Sequence, residues 1–242
     1  MVDRTIQLAE SLQEVARLGR QNISEVTPSR RDFAQYVATQ KQGLAVVARL
    51  GRRAAACAGG LVAHAQACDD AEVAALAVAT TELSLQDMAS VAAATSAPIL
   101  REALIVDRSQ LYASRLHGAD AVILAAAELG AEALRDLVAV ARSMHMAPLI
   151  EVLTEAEVDD ALGIAHAILG LRCERSDGRL DIDGTLRLAK RVPKQCTVLV
   201  LPEVQTPTEA AALAGHCDAV VTGDVLVGTA DIAVALAPFL EL

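Results

Sequence analysis

Seven charged residues fall at or just past the ends of short apolar runs: Arg49, Glu102, Glu151, Arg172, Glu174, Glu203 and Asp224. Carboxylates and guanidinium groups gathered at one place support three kinds of chemistry. They neutralise one another as ion pairs, they bind a cationic ligand, or the carboxylates hold a divalent cation such as Mg²⁺ or Mn²⁺. No local spacing of ligand residues singles out a metal site, so neither a metal nor a cofactor is assigned. Cys173 stands between Arg172 and Glu174. The arginine favours a thiolate and the glutamate opposes it, so a reactive thiol is a further reading. Of the five histidines, His117, His145 and His166 lie near predicted helix ends and read as C-terminal caps rather than bases. His64 and His216 carry no motif.

The elements that must position these residues are clearest over residues 97–124. Pro98 precedes the apolar run Ile99-Leu100, Asp107 can cap a helix, Gly118 can end it, and Ala121-Val122-Ile123-Leu124 forms a second run. That is one strand-helix-strand unit with a helical crossover, the building block of parallel α/β folds. The same alternation continues on both sides. Strands are predicted at 43–49, 73–80, from Pro98, and at 120–125, 148–153, 167–171, 197–201 and 217–222. Helices are predicted at 59–69, 84–94, 107–117, 130–145, 154–163, 183–191, 206–215 and 229–240. Ser84 with Asp87 three residues on reads as a near capping box. The strand runs are apolar almost throughout, as parallel strands covered on both faces should be.

Eight strand-helix repeats in 242 residues predict a closed (β/α)8 TIM barrel in the α/β class. Before it stand two helical stretches. Residues 3–20 carry Ile6, Leu8, Leu12, Val15 and Leu18 at helical spacing, and residues 29–40 carry Phe33, Tyr36 and Val37 on one face. A break is predicted from Ser24 to Pro28. The organisation expected is an N-terminal helical extension at 1–42 docked on a barrel at 43–242. Because the strands are parallel, the seven charged residues would ring the mouth at the C-terminal strand ends, where barrel active sites are built.

Composition bounds the partners. Hydrophobic residues make up 53% of the chain and aromatics 2%, with no tryptophan, so the core must be alanine, valine and leucine. The formal net charge of -10 argues against nucleic acid and anionic membrane surfaces. Five cysteines without CxxC spacing suit reduced thiols, and Cys196 and Cys217 open predicted strands as small core residues. The start Met1-Val2-Asp3-Arg4 lacks a signal-peptide pattern, and no apolar run reaches ~18 residues. A cytoplasmic protein is expected, as a monomer or homodimer.

One stretch carries a family likeness. Pro98-Ile99-Leu100-Arg101-Glu102-Ala103-Leu104-Ile105-Val106-Asp107, then Gln110-Leu111-Tyr112, Arg115 and Gly118-Ala119-Asp120-Ala121, follows the pattern P-V-L-R-K-D-F-I-I-D-x-x-Q-I-Y-x-x-R-x-x-G-A-D-A. Leu149-Ile150-Glu151-Val152, Ile168-Leu169-Gly170, Thr185-Leu186-Arg187-Leu188-Ala189 and Asp218-Ala219-Val220-Val221-Thr222-Gly223 extend it. Over essentially its whole length the chain resembles the indole-3-glycerol phosphate synthase family of tryptophan biosynthesis. The resemblance implies a barrel whose mouth closes an indole ring from an anionic ribulose phosphate.

The working positions depart from that pattern. Where the family's first strand ends A-E-V-K, this chain has Ala48-Arg49-Leu50-Gly51, and Ala54-Ala55-Ala56 replaces Ser-Pro-Ser. The third-strand lysine, the family's general acid, is Glu102. The sixth-strand N-N-R is Arg172-Cys173-Glu174. The phosphate-holding S-G-I becomes Pro202-Glu203-Val204, and Gly223 is kept but followed by Asp224-Val225. Glu151 alone stands clearly where the family has a catalytic glutamate.

A glutamate cannot replace a lysine as a cation, and losing even one preorganised donor typically costs ~10²–10³ in rate. The residues therefore point first to a barrel without synthase activity, a pseudoenzyme that binds a protein partner or a small-molecule effector. An enzyme with a changed reaction, and a residual synthase, remain as alternatives.

Overall fold

The computed structural model describes residues 4–18, 25–38, 43–164, 168–229 and 231–241. Eight parallel strands close into a barrel in sequence order: β1 (Ala45–Leu50), β2 (Ala75–Ala79), β3 (Ile99–Glu102), β4 (Ala121–Ala125), β5 (Ala147–Val152), β6 (Ile168–Leu171), β7 (Val198–Val200) and β8 (Ala219–Thr222), with β8 pairing β1. The (β/α)8 expectation holds.

The helices are α1 (Arg4–Leu18), α2 (Phe33–Ala38), α3 (Arg52–Ala55), α4 (Gly60–Asp70), α5 (Leu85–Ala94), α6 (Arg108–Leu116), α7 (Ala131–Ser143), α8 (Glu155–Leu162), α9 (Ile182–Ala189), α10 (Pro207–Leu213) and α11 (Ile232–Leu240). Local chemistry sets many of their starts. Ser84 and Asp87 form a full capping box on α5, as do Asp107 with Gln110 on α6 and Thr206 with Glu209 on α10. Gly118 ends the turn after α6 at φ +93, and a Cβ there would lie 2.4 Å from that of Ala92.

The strand period of two divides the core. Val46, Ala48 and Leu50 of β1 face outward into the layer under the helices, while Ala45 and Val47 face inward. The barrel interior is filled by small and branched residues, among them Ala77, Leu100, Leu149 and Leu199. Gly170 lets Leu201 fill the axis, since a Cβ would meet Leu201 Cδ1 at 2.8 Å. Phe33 and Val37 of α2 pack into the same interior cluster beside Ala45 and Ala75 at the N-terminal strand ends.

The N-terminal segments dock on the barrel through polar anchors as well as apolar ones. Ser11 Oγ of α1 donates to the Leu104 carbonyl at 2.8 Å, and Glu14 accepts from Arg101 at 2.5 Å and from Gln110 at 2.7 Å. Arg101 is an outward-facing residue of β3 whose side chain is only 2% exposed. In the turn before α2, Arg31 pairs with buried Asp120 at 2.7 Å and donates to the carbonyls of Ala97 and Gly118.

Several boundaries differ from expectation. Residues 29–32 are not helical, because Ser29 turns its hydroxyl to Asp120 at 2.5 Å and Asp32 caps α2 by accepting from the Gln35 N–H. Tyr36 is exposed, not part of the docked face. On α1, Ile6 and Leu12 are exposed, since Ser11 and Glu14 take the barrel side. Asp231 accepts from the Val234 N–H, so the last helix starts at Ile232 and not at 229. The short α3 and a 3-10 turn at Asp224–Leu226 were not expected. Cys196 and Cys217 precede β7 and β8 instead of opening them. His166, Ser24, the ends of the 3–20 and 29–40 helices and the segment just before the 42/43 division lie outside the described residues.

Candidate functional site

The inward half of each strand's period places a defined residue at the C-terminal end. Arg49 follows Val47 by two, Glu102 follows Leu100, Glu151 follows Leu149, and Arg172 follows Gly170. These four side chains therefore point into the mouth, and they are bound into two ion-pair networks.

The first network is centred on Arg49. Its Nε lies 2.7 Å from Glu102 Oε2, its Nη2 2.7 Å from Glu82 Oε1, and its Nη1 3.4 Å from Glu203 Oε1. Burial opposes the Arg49 charge, but Glu102, Glu82 and Glu203 together hold its guanidinium above the ordinary value. Glu82 also accepts the Arg52 N–H at 2.8 Å at the start of α3. Burial works against the Glu82 carboxylate, yet Arg49 and that N–H outweigh it and lower its value.

Glu203 accepts the Asp224 N–H at 2.9 Å. Burial, with Asp224 and Glu102 nearby, pushes the Glu203 carboxyl above its ordinary range. Gly223 allows this close approach: a Cβ there would lie 2.8 Å from both the Cβ and the carbonyl oxygen of Arg49. The Asp224 carboxylate itself turns outward to Arg53 at 2.7 Å.

The second network is centred on Glu151, whose side chain is 2% exposed. Its Oε2 lies 2.5 Å from Arg172 Nε, and Arg172 Nη1 reaches Glu174 at 2.8 Å. The other oxygen, Oε1, is paired with Arg4 of α1. Arg4 Nε also lies 3.4 Å from Glu128, in the loop after β4.

The candidates from the sequence thus divide into two clusters, Arg49 with Glu102 and Glu203, and Glu151 with Arg172 and Glu174. Gly223 and Asp224 frame the first. Arg4, Glu82 and Glu128 were missed. Glu82 and Glu128 each lie a few residues past a strand, and that position was a usable signal. Arg4 gave none, because α1 is far from the mouth in sequence. Cys173 is half-buried, and burial raises its thiol, which opposes a thiolate at neutral pH. His117 caps α6, its Nδ1 2.7 Å from the Ala113 carbonyl. His145 follows α7 at φ +57. His64 is buried in α4, and burial lowers its value. Among the described residues no cluster of three or more His, Cys, Asp or Glu side chains could hold a metal ion. No helix among them is long and apolar enough to cross a membrane.

Above the networks lies a cavity of about 620 Å³, bordered by Arg49, Glu102, Arg172 and Glu174 from the barrel and by Ile6 and Gln7 from α1. A second of about 220 Å³ lies beside Arg53, Glu203 and Gly223. The mouth therefore has room for a small molecule. Glu82, Glu102 and Glu174, however, are each committed to a guanidinium, Asp181 caps α9 by accepting the Gly184 N–H, and no lysine lines the cavity among the described residues.

The family model described as indole-3-glycerol phosphate synthase matches residues 2–239. The chain is 32% identical over 212 residues to the indole-3-glycerol phosphate synthase of Mycobacterium leprae strain Br4923, covering 83% of this chain and 78% of that protein. It is 35% identical over 142 residues to the enzyme of the same name from Dehalococcoides mccartyi strain BAV1. That match spans 58% of this chain and only 55% of that relative's length. Solved barrels share the fold at low identity. Orotidine 5'-phosphate decarboxylase from Pyrococcus horikoshii OT3 superposes with TM-score 0.62 at 13% identity, over 81% of this chain and 97% of that one. An N-acetylmannosamine-6-phosphate 2-epimerase from Clostridium perfringens gives 0.61 at 15%, over 79% and 90%.

Proposed function

The chain belongs to the indole-3-glycerol phosphate synthase family, and from that premise we propose that it is a pseudoenzyme of the family, a barrel that binds at its mouth without closing the indole ring. The observation that carries this reading is the Arg49 network. Three carboxylates, Glu82, Glu102 and Glu203, surround one guanidinium, with Glu102 standing where the family pattern has its lysine and Glu203 in the turn where that pattern holds phosphate. Ring closure with dehydration needs a donor at the carbonyl and leaving hydroxyl, and positive charge for an anionic substrate. Glu203 further occupies the N–H of Asp224, in the turn after the last strand where barrels commonly hold phosphate.

The residues assigned to binding are Arg49, Glu102, Glu151, Arg172, Glu174, Glu203, Gly223 and Asp224. The cavity of about 620 Å³ favours a small effector over a protein partner. We take the protein to act in the cytoplasm, without nucleic acid or membrane, as a monomer or homodimer whose residues 1–42 form an extension on the barrel. The test is conversion of 1-(2-carboxyphenylamino)-1-deoxyribulose 5-phosphate by purified protein, followed by indole fluorescence. Background signal is expected.

A changed reaction is the second reading, favoured by the same cavity. It would need an acid or base free to titrate there, and Glu102, Glu151 and Glu174 are all tied to arginines. Exchange of solvent deuterium into a bound metabolite would support it.

A further inference from the structure

Glu151 lies deep in the barrel mouth, 2% exposed, with each carboxylate oxygen facing a guanidinium. One of these, Arg172, belongs to the barrel. The other, Arg4, is brought in by α1, which is anchored elsewhere through Ser11 and Glu14. Arg4 is poorly suited to the place it holds. Burial lowers its guanidinium value, the mark of a charge taken from water. In the ion pairs among the described residues, Glu128, Glu151 and Glu174 share Arg4 and Arg172, and Glu82, Glu102 and Glu203 share Arg49.

Space adjoins this pair. A pocket of about 30 Å³ touches Arg4, Glu102, Glu151 and Arg172, and the cavity of about 620 Å³ opens over Arg4 with apolar walls at Ile6, Leu153 and Leu188. We propose that Arg4 is a tethered stand-in for a small organic cation, a primary amine or guanidine with an apolar body, which enters this cavity and takes the place of Arg4 against Glu151 and Glu128. The charged head replaces the Arg4 guanidinium, and the apolar body lies against Ile6 and Leu153. Arg4 competes with the ligand, so its removal strengthens binding.

This deepens the reading of the mouth as a binding site and rests on it. The test titrates hexylammonium, hexanol and hexanoate into the full chain, with binding followed by calorimetry and by amide NMR shifts near Glu128 and Glu151. The parent is expected to bind hexylammonium in preference to the other two. Arg4→Ala is expected to bind it about tenfold more tightly, the gain from removing an internal competitor. Glu151→Gln is expected to lose most of the affinity, and Glu128→Gln, at the rim, gives a smaller loss in a variant whose core is untouched. Equal binding of hexanoate or hexanol, or unchanged hexylammonium affinity in Arg4→Ala, overturns the proposal. Synthase turnover is measured separately on the parent: turnover defeats the pseudoenzyme reading whatever the amines do, and absent amine binding without turnover defeats only this inference.

Discussion

The carboxylate of Glu203 accepts the backbone N–H of Asp224 at 2.9 Å. Through that contact the chain fills, with its own side chain, a donor that opens the turn after β8. The other oxygen of Glu203 faces Arg49 at 3.4 Å, so one residue engages both the last strand's turn and the first strand's cation.

Glu203→Ser frees that N–H and removes a negative charge. The variant is expected to bind inorganic phosphate in the millimolar range, with amide shifts at Gly223 and Asp224. The parent is expected to show none, and an equal response from the parent would refute internal occupancy by Glu203.

Opposite pH behaviour is expected of two neighbours. The Glu203 carboxyl is raised in the fold, so its contribution to stability is present below the unfolded value and lost as pH rises through the folded one. Glu203→Gln is therefore expected to gain on the parent as pH rises above the ordinary glutamate value of 4.5. Glu82 is lowered in the fold, so its contribution is present above the unfolded value and lost as pH falls through the folded one. Glu82→Gln is expected to be less stable than the parent at neutral pH, the gap closing in acid below 4.5. Urea midpoints between pH 3 and 8, taken as an approximate working range for carboxylate titration, read both signs.

The anchor of α1 should be costly to break. Arg101 is 2% exposed and Glu14 is its only carboxylate partner among the described residues. Glu14→Ala leaves the guanidinium buried with neutral acceptors alone, Thr80 and Ser114 among them. A loss of about 3 kcal/mol is expected in urea unfolding, at the lower end for a broken buried pair because those acceptors remain. A loss below about 1 kcal/mol would mean that α1 is held by its apolar contacts instead.

The barrel was legible because its signals are local. Apolar runs of strand length, Asp107 and Ser84 as caps, and Gly118 as a terminator each act over a few residues. The mouth was legible in part, since a period of two carries Leu100 to Glu102 and Leu149 to Glu151 on the inward face. Partner choice was not. Arg49 meets Glu82, and Glu151 meets Arg4, across separations in sequence that only the closed sheet and the path of α1 bring together. The polar docking of α1 was likewise hidden, because Leu12 suggests an apolar face that the helix turns to solvent.

Catalytic competence toward the family's substrate is the point on which the account turns. Purified protein mixed with 1-(2-carboxyphenylamino)-1-deoxyribulose 5-phosphate, and followed by indole fluorescence, is predicted to match a protein-free blank. Steady formation of indole-3-glycerol phosphate in proportion to protein, abolished by Glu151→Gln, would contradict it.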